Sequence, residues 1–163
     1  MTIPPPGAAE LLGGMSEEQA VLTVGLGVLV QRAAETEYIL HGLYAHLGVE
    51  PPYTDKPHET VTHFITKAKN RLTTPANERI PEQARTALLH DLDLCTASFE
   101  KRNRYIHSCW VYDDDVHGWR TVKGTRGHSR PDIDLVSSED VWNLASEFAR
   151  LQDKLIAWDA HYF

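Results

Sequence analysis

Apolar residues return every three or four positions through most of this chain, and that period limits what it can fold into more than any other feature. Behind a Ser16-x-x-Gln19 capping box, Leu22, Leu26, Leu29, Ala33, Leu40 and Leu47 follow with helical spacing and stop near Gly48. This predicts a first helix of about 30 residues. Its interior glycines Gly25, Gly27 and Gly42 weaken a helix unless another backbone packs closely, so they are expected to mark a close helix crossing. Pro51 to Asp55 reads as a turn, after which Pro57 opens a second helix with Val61, Ile65, Ala68 and Leu72 inward, closing before Pro75. After a break from Thr73 to Ile80, Pro81 takes the first position of a third helix, whose stripe is Leu88, Leu92, Cys95, Phe99 and Ile106. A Ser137-x-x-Asp140 cap starts the last helix, which carries Val141, Leu144, Phe148, Leu151, Leu155 and Trp158 inward.

Between Trp110 and Leu135 the helical period vanishes and the chain turns rich in Asp, Gly, Arg and β-formers such as Trp119 and Val122. An ordered loop or β-hairpin is expected over 110–136. With 163 residues, 42% of them hydrophobic, the chain can bury one core, so 1–163 reads as a single domain with residues 1–15 as a flexible arm. The expected fold is all-α: a four-helix, up-and-down bundle with a loop or β-hairpin insertion before the last helix.

Composition narrows the setting. The longest apolar run, Ala20 to Val30, is well short of the roughly 20 residues of a membrane span, and no basic region precedes it as in a secretory signal. Cys95 and Cys109 are too few for a disulfide framework or a thiolate zinc site. A cytoplasmic protein without membrane contact is expected. A net charge of −7 excludes a broad electrostatic nucleic-acid binder, because such binding rests on Lys and Arg displacing phosphate counterions. Any RNA contact must be local, and positive charge is concentrated in two clusters: Lys101, Arg102 and Arg104, then Arg120, Lys123, Arg126 and Arg130. The ordinary reading of such clusters is a solvated face. There is no Gly-rich phosphate loop or dinucleotide fingerprint. His41 with His46, and His58 with His63, stand five apart rather than the three or four that pair ligands on one helix face. Asp113-Asp114-Asp115 reads as a polar turn, and neither metal nor cofactor is expected.

The third helix ends in Phe99-Glu100-Lys101-Arg102-Asn103-Arg104-Tyr105-Ile106-His107, a dense set of ionisable residues on a helix that should face a core. With Phe99 as the centre of the buried stripe, Asn103 falls about 40° and His107 about 80° to one side, and Arg102 about 60° to the other. Polar groups thus flank the seam. An Arg followed by a polar residue and, four to six residues after the Arg, a His on the third helix of a bundle resembles the motif of the HEPN superfamily. Arg102, Asn103 and His107 match it. Arg85 and His90 form a second pair at that spacing, but Thr86 follows the arginine and the pair sits early in the helix.

The resemblance implies a metal-independent endoribonuclease that leaves 2′,3′-cyclic phosphate ends, acting as a toxin or as an antiviral or stress effector. It implies an antitoxin or other regulatory protein as a restraining partner. An imidazole can take a 2′-hydroxyl proton or protonate a leaving 5′-oxygen, and a guanidinium can hold charge on the phosphorane oxygens. His107 is then the acid/base, Arg102 the phosphate clamp, and Asn103 orients the imidazole or the RNA backbone. Lys101, Arg104, Arg120, Lys123 and Arg126 are candidate phosphate contacts, Tyr105 and Trp110 candidate stacking rings, and Glu37, with Glu35, a candidate carboxylate fixing Arg102. On one regular helix Arg102 and His107 diverge by about 140° and stand about 7.5 Å apart along the axis. A twofold homodimer pairing Arg102 of one copy with His107 of the other resolves this. The alternative from another class is a non-catalytic, HEPN-like dimeric module that binds a nucleotide or protein partner. A third is a plain helical bundle whose 110–135 segment is a recognition surface.

Overall fold

The computed structural model describes residues 13–49, 60–77, 80–123 and 132–162. Four helices carry most of them: α1 (Glu17–His46), α2 (Val61–Leu72), α3 (Glu82–Ile106) and α4 (Ser138–Tyr162). A three-stranded sheet, β1 (Cys109–Asp113), β2 (Gly118–Lys123) and β3 (Asp132–Val136), stands between α3 and α4.

α1 starts where its capping box predicts. The Ser16 hydroxyl accepts the Gln19 N–H at 3.2 Å, and the Gln19 side chain accepts the Ser16 N–H at 3.0 Å. It ends before Gly48, whose φ of 68° suits glycine. Of the three interior glycines only Gly25 marks a close crossing: a Cβ there would stand 3.0 Å from Trp142 Nε1 and 3.3 Å from Val141. Gly27 and Gly42 face open space, which corrects the expectation for those two. α2 starts from Thr60, whose side chain accepts the His63 N–H, and buries Phe64, Ile65, Ala68 and Leu72. Pro57 and the turn from Pro51 to Asp55 lie outside the described residues. Pro81 caps α3 from one position outside it. Leu88, Leu92, Cys95 and Phe99 are buried as predicted, whereas Ile106 is half-buried and its neighbour Tyr105 takes the inward place.

The helices do not alternate up and down. α1 and α4 lie side by side and parallel: Gly25 meets Val141 and Trp142, Gln152 reaches Arg32 and Thr36, and His46 pairs with Asp159. α3 runs antiparallel to α4, since Asp91 accepts hydrogen bonds from Lys154 and Trp158 while Ser98 donates to Glu147. An alternating bundle would set the first and last helices antiparallel.

The insertion is a sheet rather than a hairpin. β2 pairs antiparallel with both neighbours, in the order β1-β2-β3. The third strand is short, and its Asp-Ile-Asp-Leu-Val alternation has a period of two, half hidden by its aspartates. Trp110, Thr121 and Asp134 form one cross-strand row, and Tyr112, Trp119 and Val136 the next. Thr121 and Val136 are buried, and Trp110 and Trp119 pack on the core, so this face lies on the bundle. The reversal between β1 and β2 is the polar turn expected of the aspartates, with the Asp115 N–H donating to Asp113 Oδ1 at 2.9 Å.

Ser137 and Asp140 cap α4 reciprocally: Asp140 Oδ2 accepts the Ser137 N–H at 2.8 Å and its hydroxyl at 2.7 Å, and Ser137 Oγ accepts the Asp140 N–H. The Ser137 N–H, then its hydroxyl, hold the Asp140 carboxyl below the usual carboxylate range. A carboxylate with a depressed folded-state pKa contributes stability above its unfolded value, near 4, which is lost as pH falls through the folded value. We expect Ser137→Ala to lower stability by about 1 kcal/mol at neutral pH. In urea melts its deficit against the wild type should narrow as pH drops below about 4; a deficit independent of pH would show that the cap does not act through the carboxylate.

Candidate active site at the end of the third helix

The last turn of α3 has to satisfy carbonyls that no longer find a helical donor. The His107 N–H donates to the Asn103 carbonyl at 3.1 Å, the Ser108 hydroxyl to Arg104 at 2.5 Å, and the Trp110 indole to Tyr105 at 2.8 Å. His107 is the C-cap, with φ −100° and ψ 11°, and its side chain is exposed. β1 starts two residues later, so the sheet is tied to the end of the helix that carries the candidate residues.

Arg102 lies one turn back and is half-buried. Its Nη1 donates to the side-chain oxygen of Asn103 at 2.9 Å, while its Nε is buried without a hydrogen-bond partner. Among the described residues no carboxylate comes within ion-pair distance of it. Glu37 does not fill that role, since no ion pair or hydrogen bond joins it to Arg102, whose side chain is bonded to Asn103 instead. Glu35 faces α4 instead, bonded by Gln31, Arg32 and Gln152. The residue that orients Arg102 is Asn103.

The other candidates divide. Arg104 turns away from the motif and ties α3 to β3 through ion pairs with Asp132 and, at 2.9 Å, Asp134. Arg120 is spent on Asp113 across the β1–β2 turn. Both carry ion pairs within the fold, at the positions read from the sequence as phosphate contacts. Tyr105 is buried against Trp110 in an edge-to-face pair at 5.8 Å, and burial pushes its phenol up to about 12. Only 4% of Tyr105 is exposed, which leaves little of its ring open to a base. Lys101 is exposed, with its ammonium 5.8 Å from the Tyr105 ring. Lys123 is half-buried at the end of β2, where Cys109 faces its neighbour Val122. Arg126 and Arg130 lie outside the described residues. Arg85 and His90 stand at the other end of α3, and the hollow beside His90 is lined by Glu82, Gln83, Thr86 and Ala87.

Sequence reasoning missed the polar seam between α3 and α4. Asp91 is 6% exposed and held by Lys154 Nζ at 2.6 Å and Trp158 Nε1 at 3.0 Å. Burial pushes the neighbouring Cys95 thiol up to about 12, so it stays protonated and inert. The one signal was an aspartate at an inward position of α3; its partners are more than 60 residues away.

What remains at the α3 terminus is a guanidinium that meets no carboxylate among the described residues, an amide holding it, an exposed imidazole and an exposed ammonium. This set can bind an oxyanion and exchange a proton with it. Comparison with protein-family models, with curated proteins and with solved structures gives no match.

Proposed function

We propose that this chain is a HEPN-type, metal-independent endoribonuclease that cuts RNA through Arg102, Asn103 and His107. The observation that carries the reading is the state of Arg102. Arg32, Arg104 and Arg120 each meet a carboxylate, whereas among the described residues Arg102, like Arg71, Arg85 and Arg150, meets none; its guanidinium is held by the neutral amide of Asn103, with Nε buried and without a hydrogen-bond partner. A phosphate is the matching counter-ion, since a planar guanidinium meets its oxygens through two parallel hydrogen bonds.

In this reading His107 takes the proton of a 2′-hydroxyl, the 2′-oxygen attacks the adjacent phosphorus, and the bond to the 5′-oxygen breaks as that oxygen takes up the proton held by His107. The products are a 2′,3′-cyclic phosphate and a 5′-hydroxyl. Arg102 holds the charge on the non-bridging oxygens, and Lys101 supplies a further positive charge. The reading includes a homodimer meeting near the ends of α3, so that Arg102 of one copy faces His107 of the other. It also includes a regulatory partner of the antitoxin kind, because an unrestrained ribonuclease would damage its own cell.

The test is cleavage of labelled single-stranded RNA in EDTA, with the 3′ ends identified. We expect cleavage to survive chelation and to leave cyclic phosphates. Mixing inactive Arg102→Ala and His107→Ala proteins should restore part of the activity, since a mixed dimer carries one intact pair. Cleavage abolished by EDTA would sink the mechanism, and silence of the wild type across several RNAs would leave the anion-binding module as the reading to pursue.

A further inference from the structure

The C-terminal ends of α1 and α2 meet beside a hollow of about 540 Å³, lined by Gly48, Val49, Lys67, Asn70, Arg71 and Thr74. Lys67 stands three residues before Asn70 and four before Arg71, which puts all three on one face of α2. Lys69 falls on the other side of the helix and meets Asp93 of α3. α2 has no acidic residue beside these cations, in a chain of net charge −7. Among the described residues no carboxylate lines the hollow. Arg71 is exposed at its rim.

Helix C-termini carry partial negative charge, which turns an anion away where their carbonyls are bare. Here the fold has covered them. The Gly48 N–H donates to the Ala45 carbonyl at 3.1 Å and the Val49 N–H to that of Tyr44 at 2.9 Å. The Arg71 carbonyl accepts the Thr74 N–H at 3.0 Å, the Thr74 hydroxyl at 2.7 Å and Nδ2 of the buried Asn77 at 3.0 Å. The unit charge of Arg71 outweighs what is left of a helix end, which amounts to roughly half a charge even when bare. The same bonds fix the backbone of Arg71 and leave its guanidinium at the rim. The Lys67 ammonium stands 4.9 Å from the ring centroid of the buried Phe64, so the side chain lies against the core while its charge borders the hollow.

We propose that this hollow binds a nucleotide phosphomonoester, through the guanidinium of Arg71, the amide of Asn70 and the ammonium of Lys67. A guanidinium alone satisfies a carboxylate through two parallel hydrogen bonds, whereas a phosphomonoester has three terminal oxygens to share among three donors. An inorganic phosphate would fill only part of about 540 Å³, a volume in the range of small organic ligands, so a nucleoside has room beside the phosphate. The same group occurs on a free mononucleotide and at the phosphorylated end of an RNA strand. The site is distinct from the end of α3. Lys69 meets Asp93, Arg102 stands nine residues or about 14 Å further along α3, and the chain after Arg71 leads back to the start of that helix. The hollow therefore stands whether or not the α3 end cuts RNA.

The test is titration of the isotope-labelled full chain with AMP, and with 2′-O-methyl RNA carrying either a 5′-phosphate or a 5′-hydroxyl, followed through the amide shifts. These RNAs lack the attacking hydroxyl, so binding is read without cleavage. We expect saturable shifts at Gly48, Asn70 and Arg71 with AMP and with the 5′-phosphate RNA, and none there with the 5′-hydroxyl RNA. Tighter binding of the RNA identifies a strand end as the source of the phosphate, and tighter binding of AMP a free nucleotide. Arg71→Ala and Asn70→Ala should each weaken binding about 10-fold or more, the effect of losing a charge-assisted hydrogen bond. Arg150→Ala, which removes an exposed arginine from α4, should bind as the wild type does. Circular dichroism checks each fold, and if one variant misfolds the other decides. The proposal is overturned by an absence of shifts at the hollow, by equal shifts with the 5′-hydroxyl RNA, by an equal loss in Arg150→Ala, or by an acidic peptide that binds there as tightly as AMP. Were Arg71 present only to offset the helix ends, its removal would lower the melting temperature and leave AMP binding as it was, which overturns the proposal too.

Discussion

A His107→Ala protein is expected to cleave RNA about 10²- to 10⁴-fold more slowly than the wild type, the range that a positioned acid/base supplies, with an unchanged melting temperature. The two halves of this expectation have separate origins. The imidazole is exposed, so removing it opens no cavity, and the backbone N–H that caps Asn103 survives the substitution. Arg102→Ala should lower kcat by a similar factor of about 10²–10³, as loss of one transition-state charge contact does. Arg102→Lys should recover little of it, because an ammonium cannot make the paired hydrogen bonds of a guanidinium. Single-turnover cleavage with saturating protein isolates the chemical step. A His107→Ala protein that cuts at the wild-type rate would remove the imidazole from the reaction.

Phe148→Ala should lower stability by about 3–5 kcal/mol, the largest effect expected of any single substitution in the core. Phe148 has no exposed surface and meets Phe99 edge-on with ring centroids 5.1 Å apart. That pair joins α4 to α3 just below the turn that carries Arg102, and the polar contacts of the same seam, from Asp91 to Lys154 and Ser98 to Glu147, require the two helices to stay close. A cavity there cannot collapse without breaking them. For a domain of this size each kcal/mol shifts Tm by about 2–4 °C, so a drop of roughly 6–20 °C is expected by calorimetry. Leu135→Ala, at an exposed site on the outer face of the sheet, serves as the contrast and should change stability by less than about 0.5 kcal/mol. Similar losses at both positions would mean that the outer sheet face is covered by something, or that the α3–α4 seam is softer than its packing indicates.

Much of the helical framework was legible in the sequence because it rests on contacts between residues three or four apart. The Ser16 and Ser137 boxes, the stop at Gly48 and the inward stripes of α1, α3 and α4 are all set by the helical repeat, which a chain carries in its own order. The placement of Arg102, Asn103 and His107 together at the end of α3 was legible for the same reason. The tertiary structure alone decided the rest. The parallel course of α1 and α4 rests on contacts between residues more than a hundred positions apart, so no local signal chooses it. Gly25, Gly27 and Gly42 are alike as sequence, and only Trp142, more than a hundred residues away, makes one of them a crossing point. The fate of each charge was decided the same way. Arg104 met the aspartates of β3, Arg120 met Asp113, Glu35 met Gln152, and among the described residues Arg102 met only its neighbour Asn103. Helical periodicity assigns a side chain to a face, but what waits on that face is brought there by the fold, and for a charged group that partner decides whether it builds structure or stays available for chemistry.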